Sequence, residues 1–197
     1  MRRVGVVLLV ALAAAGCGVR TGTVPGSAAP LTRSGSAPSS GPRPSATPGA
    51  FRAVSMSGSG LSITFPVPDD WTVAQSRTAE LSRTDAALGD EVLLRVDLTA
   101  RGTGTARSGA EGVEAAIRPH RPSYTRLGLA DVAGVGDDAV DWSFTYDLDG
   151  RPARVIDRQI LSGRGAVAVY LRAPAASYDR YLPLWQRTTR DLDIRTS

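Results

Sequence analysis

Lysine is absent from this chain, and other chemistry-bearing residues are nearly so: the 197 residues hold one histidine, one cysteine and four glutamates. Without lysine, no Schiff base can form with a carbonyl substrate. A Ser-His-Asp triad or a histidine general base would have to use His120, which lies between Pro119 and Arg121 in what reads as a helix-exit loop. A solvated loop histidine is the simpler reading. One cysteine, Cys17, permits no intrachain disulfide and no cysteine-based zinc cluster. The most apolar run, Val4 to Ala15, has twelve residues, against the ~20 that a helix needs to cross a bilayer. We therefore expect no enzyme, no cofactor and no metal centre.

The charge balance excludes another class. All 23 basic residues are arginine, and five of them (Arg2, Arg3, Arg20, Arg33, Arg43) fall in the first fifty residues, which contain no acid. From residue 51 onward 18 Arg face 19 acidic residues, a balance of −1. A nucleic-acid-binding domain carries a basic face on its folded part; none is expected here.

The N-terminal segment reads as an export signal. Arg2 and Arg3 precede the apolar run, and Ala14-Ala15-Gly16-Cys17 supplies small residues before a cysteine. This resembles a bacterial lipobox, which implies cleavage before Cys17, a diacylglycerol on its thiol and a membrane-anchored product; an ordinary secretory signal is the alternative. Two or three acyl chains anchor a protein stably, at ~0.8 kcal/mol per buried CH₂. Residues 1–16 are then the signal peptide. Residues 17–50 are the lipidated cysteine and a stalk, in which 27 of the 33 positions 18–50 are Gly, Ser, Thr, Pro or Ala. So polar and small a segment cannot offset its ordering entropy and is expected to be disordered, spanning roughly 30 Å.

Residues 51–197 read as a single domain of mixed class, an antiparallel sheet of about six strands with helices packed on it (α+β). Leu61, Ile63 and Phe65 alternate with polar residues in a strand stopped at Pro66 and Pro68. Further strands are expected at 71–75, 80–83 and, from Val92, Leu94, Val96 and Leu98, at 92–98. Ser108-Gly109-Ala110-Glu111 fits a capping box opening a helix that Pro119 ends, and 124–129 reads as extended. Val140, Trp142, Phe144, Tyr146 and Leu148 alternate with Asp141, Ser143, Thr145 and Asp147, and Asp149-Gly150 supplies a two-residue hairpin turn. The return strand covers 152–161. Ala166 to Leu171, apolar in both phases, reads as a central strand covered on both faces. Tyr178, Tyr181, Leu182, Trp185 and Leu192 share one face of a last helix, which Pro183 should bend.

The run Leu61-Ser62-Ile63-Thr64-Phe65-Pro66 leading to Asp69-Asp70-Trp71, the run Ala139 to Tyr146, the Asp149-Gly150-Arg151 turn, Ala166 to Leu171 and Trp185 together resemble PsbP-like domains. Modules of that kind occur in actinobacterial lipoproteins and as extracytoplasmic domains of bacterial serine/threonine kinases. The resemblance implies an α/β/α sandwich around a six- or seven-stranded antiparallel sheet that binds proteins without catalysis. Its motifs are core aromatics and turns, so they carry fold better than function.

Candidate sites are few. Asp147-Leu148-Asp149-Gly150 begins like a calcium loop, but Arg151 and Arg158 occupy the fifth and twelfth positions, where oxygen ligands are required. Gly134-Val135-Gly136 is too short to cradle a phosphate. Trp71, Trp142 and Trp185 fall in patterned elements and read as core. Tyr124, Tyr178 and Tyr181, taken as partly exposed, with Arg121, Arg126 and Arg180, are the candidates for a binding patch, because tyrosine and arginine are enriched at interfaces. The expected partners are the membrane, through Cys17, and another envelope protein; a small-molecule or cell-wall-glycan ligand is the alternative, and predicts an enclosed apolar pocket.

Overall fold

Residues 138–174 build the centre of the molecule from two successive tight turns. The computed structural model describes residues 49–75, 78–85 and 90–196, with side chains described outside 75–90. The expected signal peptide, Cys17 and nearly all of the expected stalk lie outside the described residues. Strands β7 (Asp138–Leu148) and β8 (Arg151–Ser162) are joined through Asp149 and Gly150 at φ 51° and 77°, the two positive angles that a twist-matched hairpin turn requires. Gly163, at φ 53°, leads into β9 (Gly165–Pro174).

Seven strands form one antiparallel sheet in the order β3-β4-β5-β9-β8-β7-β6, where β3 is Thr72–Gln75, β4 Thr78–Asp85, β5 Asp90–Ala100 and β6 Thr125–Asp131. A second sheet has the order β1-β2-β10, from Phe51–Gly58, Leu61–Pro68 and Asp193–Thr196. The fold is α+β. The expected antiparallel sheet of about six strands is the seven-stranded one, and the three-stranded sheet is additional to it.

Two helices and the small sheet divide the faces of the large one. Helix α1 (Ala106–Ile117) lies over β7 and β8, burying Val140, Trp142, Phe144, Tyr146 and Val155 with Ala106 and Ala110. Helix α2 (Tyr178–Arg190) and the small sheet cover the opposite face, where Leu61, Ile63 and Phe65 meet Leu94, Val96, Val169 and Leu171. Burial on this scale, at ~25 cal/mol per Å² of apolar surface, is what holds a domain without crosslinks together.

Several local expectations are corrected, each for a physical reason. Helix α1 starts one turn early: Thr105 Oγ1 accepts from Ser108 N at 3.1 Å and Thr105 N donates to Ser108 Oγ at 3.0 Å, so the box is Thr105–Ser108. Ala106 N finds a further acceptor in Asp138 Oδ2 at 2.6 Å. Strand β2 runs through Pro66 because β10 pairs only with Leu61 to Thr64; beyond that point β2 has a free edge, where a missing N–H costs nothing. Strands β1 and β10 carry little apolar patterning and exist by pairing, with Ser55–Thr64 and Ser57–Ser62 hydroxyl bonds of 2.8 and 2.9 Å stitching β1 to β2. Leu192 lies beyond the end of α2. Finally, β9 is covered fully on one face only, because α1 lies over β7 and β8; Ala166, Ala168, Tyr170 and Arg172 on its other face stay half-buried.

The alternation in β7 yields a stability test. Trp142, 1% exposed, is a core side chain, and Trp142→Ala should cost roughly 3–5 kcal/mol. Thr145→Ala, on the opposite and half-open face, should cost under about 1 kcal/mol. Chemical denaturation of the two variants checks the phase of the strand.

Candidate functional site

The six side chains proposed for a binding patch fall on both faces of the large sheet. On the α1 side, Glu114 gathers two of them: Tyr124 Oη donates to its Oε1 and Arg126 Nη1 to its Oε2, each at 2.9 Å. Arg121 stacks 4.7 Å from the Tyr146 ring centre nearby. Glu114 is 9% exposed, so the trio fastens β6 to α1. Burial, with the Glu114 hydrogen bond, pushes the Tyr124 hydroxyl up to about 12. On the α2 side, Tyr178 and Tyr181 are 2% and 4% exposed, so the expectation that they are partly exposed is corrected; both point into the core from the inner face of α2. Arg180 is half-buried on the same helix. His120 is exposed on a 3-10 turn, Arg118–His120.

Two other places are built with more chemistry. The first surrounds Asp157 on β8, whose register puts it opposite Trp142 on one side and Tyr170 on the other. Asp157 is 7% exposed; Gln159 Nε2 donates to its Oδ2 at 3.3 Å, and its buried Oδ1 has no hydrogen-bond partner. Two strands away, Arg95 and Asp97 on β5 form an ion pair, with Arg95 Nε donating to Asp97 Oδ2 at 2.6 Å and its guanidinium 5.9 Å from the Tyr170 ring centre. Burial pushes the Asp157 carboxyl up to about 6, with the Asp97 charge adding to the effect and Gln159 and Arg95 opposing it. A half-satisfied buried carboxylate is a cost to the fold.

The second is a groove between α2 and the α2-side face of β7 and β8. Its volume is about 610 Å³, and Asp141, Ile156, Arg158, Leu182, Trp185 and Gln186 are among its lining residues. That volume lies within the ~300–1,000 Å³ of ligand sites. On its floor Arg158 Nε and Nη2 donate to the two carboxylate oxygens of Asp141 at 2.7 and 2.8 Å, a fork matched to a carboxylate. The Arg158 guanidinium lies 4.9 Å from the Trp185 ring centre, and Trp185 Nε1 is tied to Val169 O at 2.9 Å, so the stack is held in place. Four residues along β8, Arg154 repeats the arrangement on Tyr178 at 4.4 Å. At the rim, Thr189 Oγ1 donates to Trp185 O at 2.9 Å, and Arg190 is exposed.

Sequence reading missed both places, and neither is an enclosed pocket. A concavity of about 20 Å³ beside Leu148 and Arg172 has room for a water and little else. Among the described residues no three His, Cys, Asp or Glu side chains come together as metal ligands. No helix among them is long and apolar enough to cross a membrane.

Asp157 generates a pH prediction. A carboxyl raised from 3.8 to about 6 favours folding below pH ~4, and that contribution is lost as pH rises through about 6, an effect of up to ~3 kcal/mol. Asp157→Asn should therefore raise stability at pH 7–8 and flatten its decline between pH 4 and 7, as urea denaturation across that range would show.

No known family profile matches the sequence, and no curated protein matches it. Solved structures do match. A Pseudomonas aeruginosa protein of unknown function superimposes with a TM-score of 0.54 at 14% identity, covering 76% of this chain and 100% of its own. LpqN of Mycobacterium tuberculosis, involved in cell envelope biogenesis, gives 0.52 at 17%, covering 76% of this chain and 93% of its own. The PsbP of the cyanobacterium Synechocystis gives 0.50 at 12%, covering 74% and 92%. Residues 51–196 thus have a PsbP-like fold.

Proposed function

We propose that this chain is a lipid-anchored, non-catalytic module of the cell envelope that binds another envelope protein. The observation that carries the reading is the groove beside α2, an open trough with a stacked arginine on its floor. Its openness favours a macromolecular partner over an engulfed small molecule, since small-ligand sites bury most of their ligand. The lipobox-like Ala14-Ala15-Gly16-Cys17 and the Pro-, Ser- and Gly-rich segment after it support a tethered, extracytoplasmic setting. LpqN is involved in envelope biogenesis, an assignment that belongs to that protein and is in keeping with this one. The residues offer little for catalysis: the lone histidine is exposed, and burial pushes the hydroxyls of Tyr124 and Tyr178 each up to about 12, far from neutral pH.

Two measurements test the halves of this reading. Cys17→Ser should move the protein from the membrane fraction to the medium or leave an uncleaved precursor; membrane-bound protein of mature length would show that the anchor lies elsewhere. Crosslinking in intact cells followed by capture of the chain should recover a discrete envelope protein. Recovery of nothing beyond a surface-scrambled control would defeat the binding reading.

A further inference from the structure

Resting on that reading, we propose that the groove between α2 and β8 takes an extended acidic segment of the partner, with carboxylates set among aliphatic side chains. The charges around the groove point this way. Of the charged residues that line it, Arg158 and Arg190 stand against Asp141 alone, one cation in excess, in a folded region whose own balance is −1. The acids are thinly shared: Asp191 serves both Arg187 at 3.6 Å and Arg190 at 3.0 Å, and Arg154 reaches the exposed Asp179 only at 3.7 Å. The buried Arg154 Nε has no acceptor.

Geometry selects carboxylate over a diffuse negative charge. The arginines at positions 154 and 158 project from one face of β8, each stacked on an α2 ring, Tyr178 or Trp185, two turns apart. Stacking fixes each guanidinium plane before any ligand arrives, so little rotamer entropy remains to be lost. Asp141 fills the Nε–Nη2 edge of Arg158 and fixes its plane, which leaves the Nη1 edge as the donor pair for an incoming Asp or Glu. Ile156 lies between the two arginines on that face, and Leu182 projects from α2 into the same trough, leaving half-buried apolar surface for aliphatic side chains between the carboxylates.

The experiment uses the full chain and blocked peptides of alternating Glu and Leu, of Lys and Leu, and of Gln and Leu, followed by NMR and calorimetry. The acidic peptide should shift the signals of Ile156, Leu182, Gln186 and the Trp185 indole, and bind about ten-fold tighter than the other two. Its affinity should fall with added salt. Arg190→Glu, at an exposed rim position, should weaken it about five-fold with only a small loss of thermal stability, from its surface pair with Asp191 at the end of α2. The paired change Asp141→Asn with Arg158→Gln, which removes the fork without leaving a lone charge, should weaken it further. Equal binding of the three peptides, shifts confined to other surfaces, or a neutral oligosaccharide perturbing the groove as strongly would overturn the proposal. Capture of an envelope protein that is unaffected by Arg190→Glu would also overturn it while leaving the binding module intact. Acidic-peptide binding in the groove without any captured protein would support the groove and defeat the module.

Discussion

The register of β7 against β8 is the constraint on which the rest of this structure depends. A two-residue turn with two positive φ angles allows one pairing, in which residues equidistant from Asp149 and Gly150 face each other. That pairing puts Trp142, Phe144 and Tyr146 together under α1, with ring centres 4.5 Å and 6.1 Å apart. It also puts Asp141 opposite Arg158 on the other face and Asp157 opposite Trp142 on the first. A slip of β7 by one residue would send the aromatic row to the α2 side and Asp141 under α1, parting it from Arg158. The aromatic core and the polar floor are thus two consequences of one turn.

The two faces use that register differently. Under α1 the sheet is filled with rings and small helix residues, which leaves Asp157 as a polar atom set in apolar surroundings. On the α2 side, β8 sends out Arg154 and Arg158, too long and charged for a dry core, with Ile156 between them. The α2 aromatics meet them with ring faces, so the aliphatic stems are buried while the guanidinium groups reach the groove. The floor of the groove is therefore shaped by the packing that holds α2 on the sheet, and it needs no ligand to form.

Much of the fold was legible in the sequence because it rests on local chemistry. The alternation from Val140 to Leu148, the Asp149-Gly150 turn, the Val92–Leu98 strand and the α2 stripe are each set by a few neighbouring residues. Strands β1 and β10 were not legible, since Phe51–Gly58 has one buried residue, Val54, and Asp193–Thr196 has none; partners distant in sequence make them strands. The groove lies between these cases. The hairpin rule applied to 141–158 pairs Asp141 with Arg158 from sequence alone. What it cannot supply is the helix that comes to rest beside them, because the docking of α2 is decided by packing against β9 and β2.

The same reasoning explains why tyrosine was a poor guide to the site. Tyr178 and Tyr181 fall in the apolar stripe of an amphipathic helix, so burial was their natural place. Tyr178 meets the surface only through its ring face, on which Arg154 stacks. On this fold arginine is the side chain that reports the surface. With no lysine in the chain, every cation carries a planar fork, and where it lies over a ring its direction is set by the core beneath it. Specific recognition by such a domain depends less on how many charges it carries than on which of them the core holds still. By that measure Arg154 and Arg158 differ from the freely exposed Arg190 and Arg195: core aromatics hold the first pair, and only surface acids hold the second.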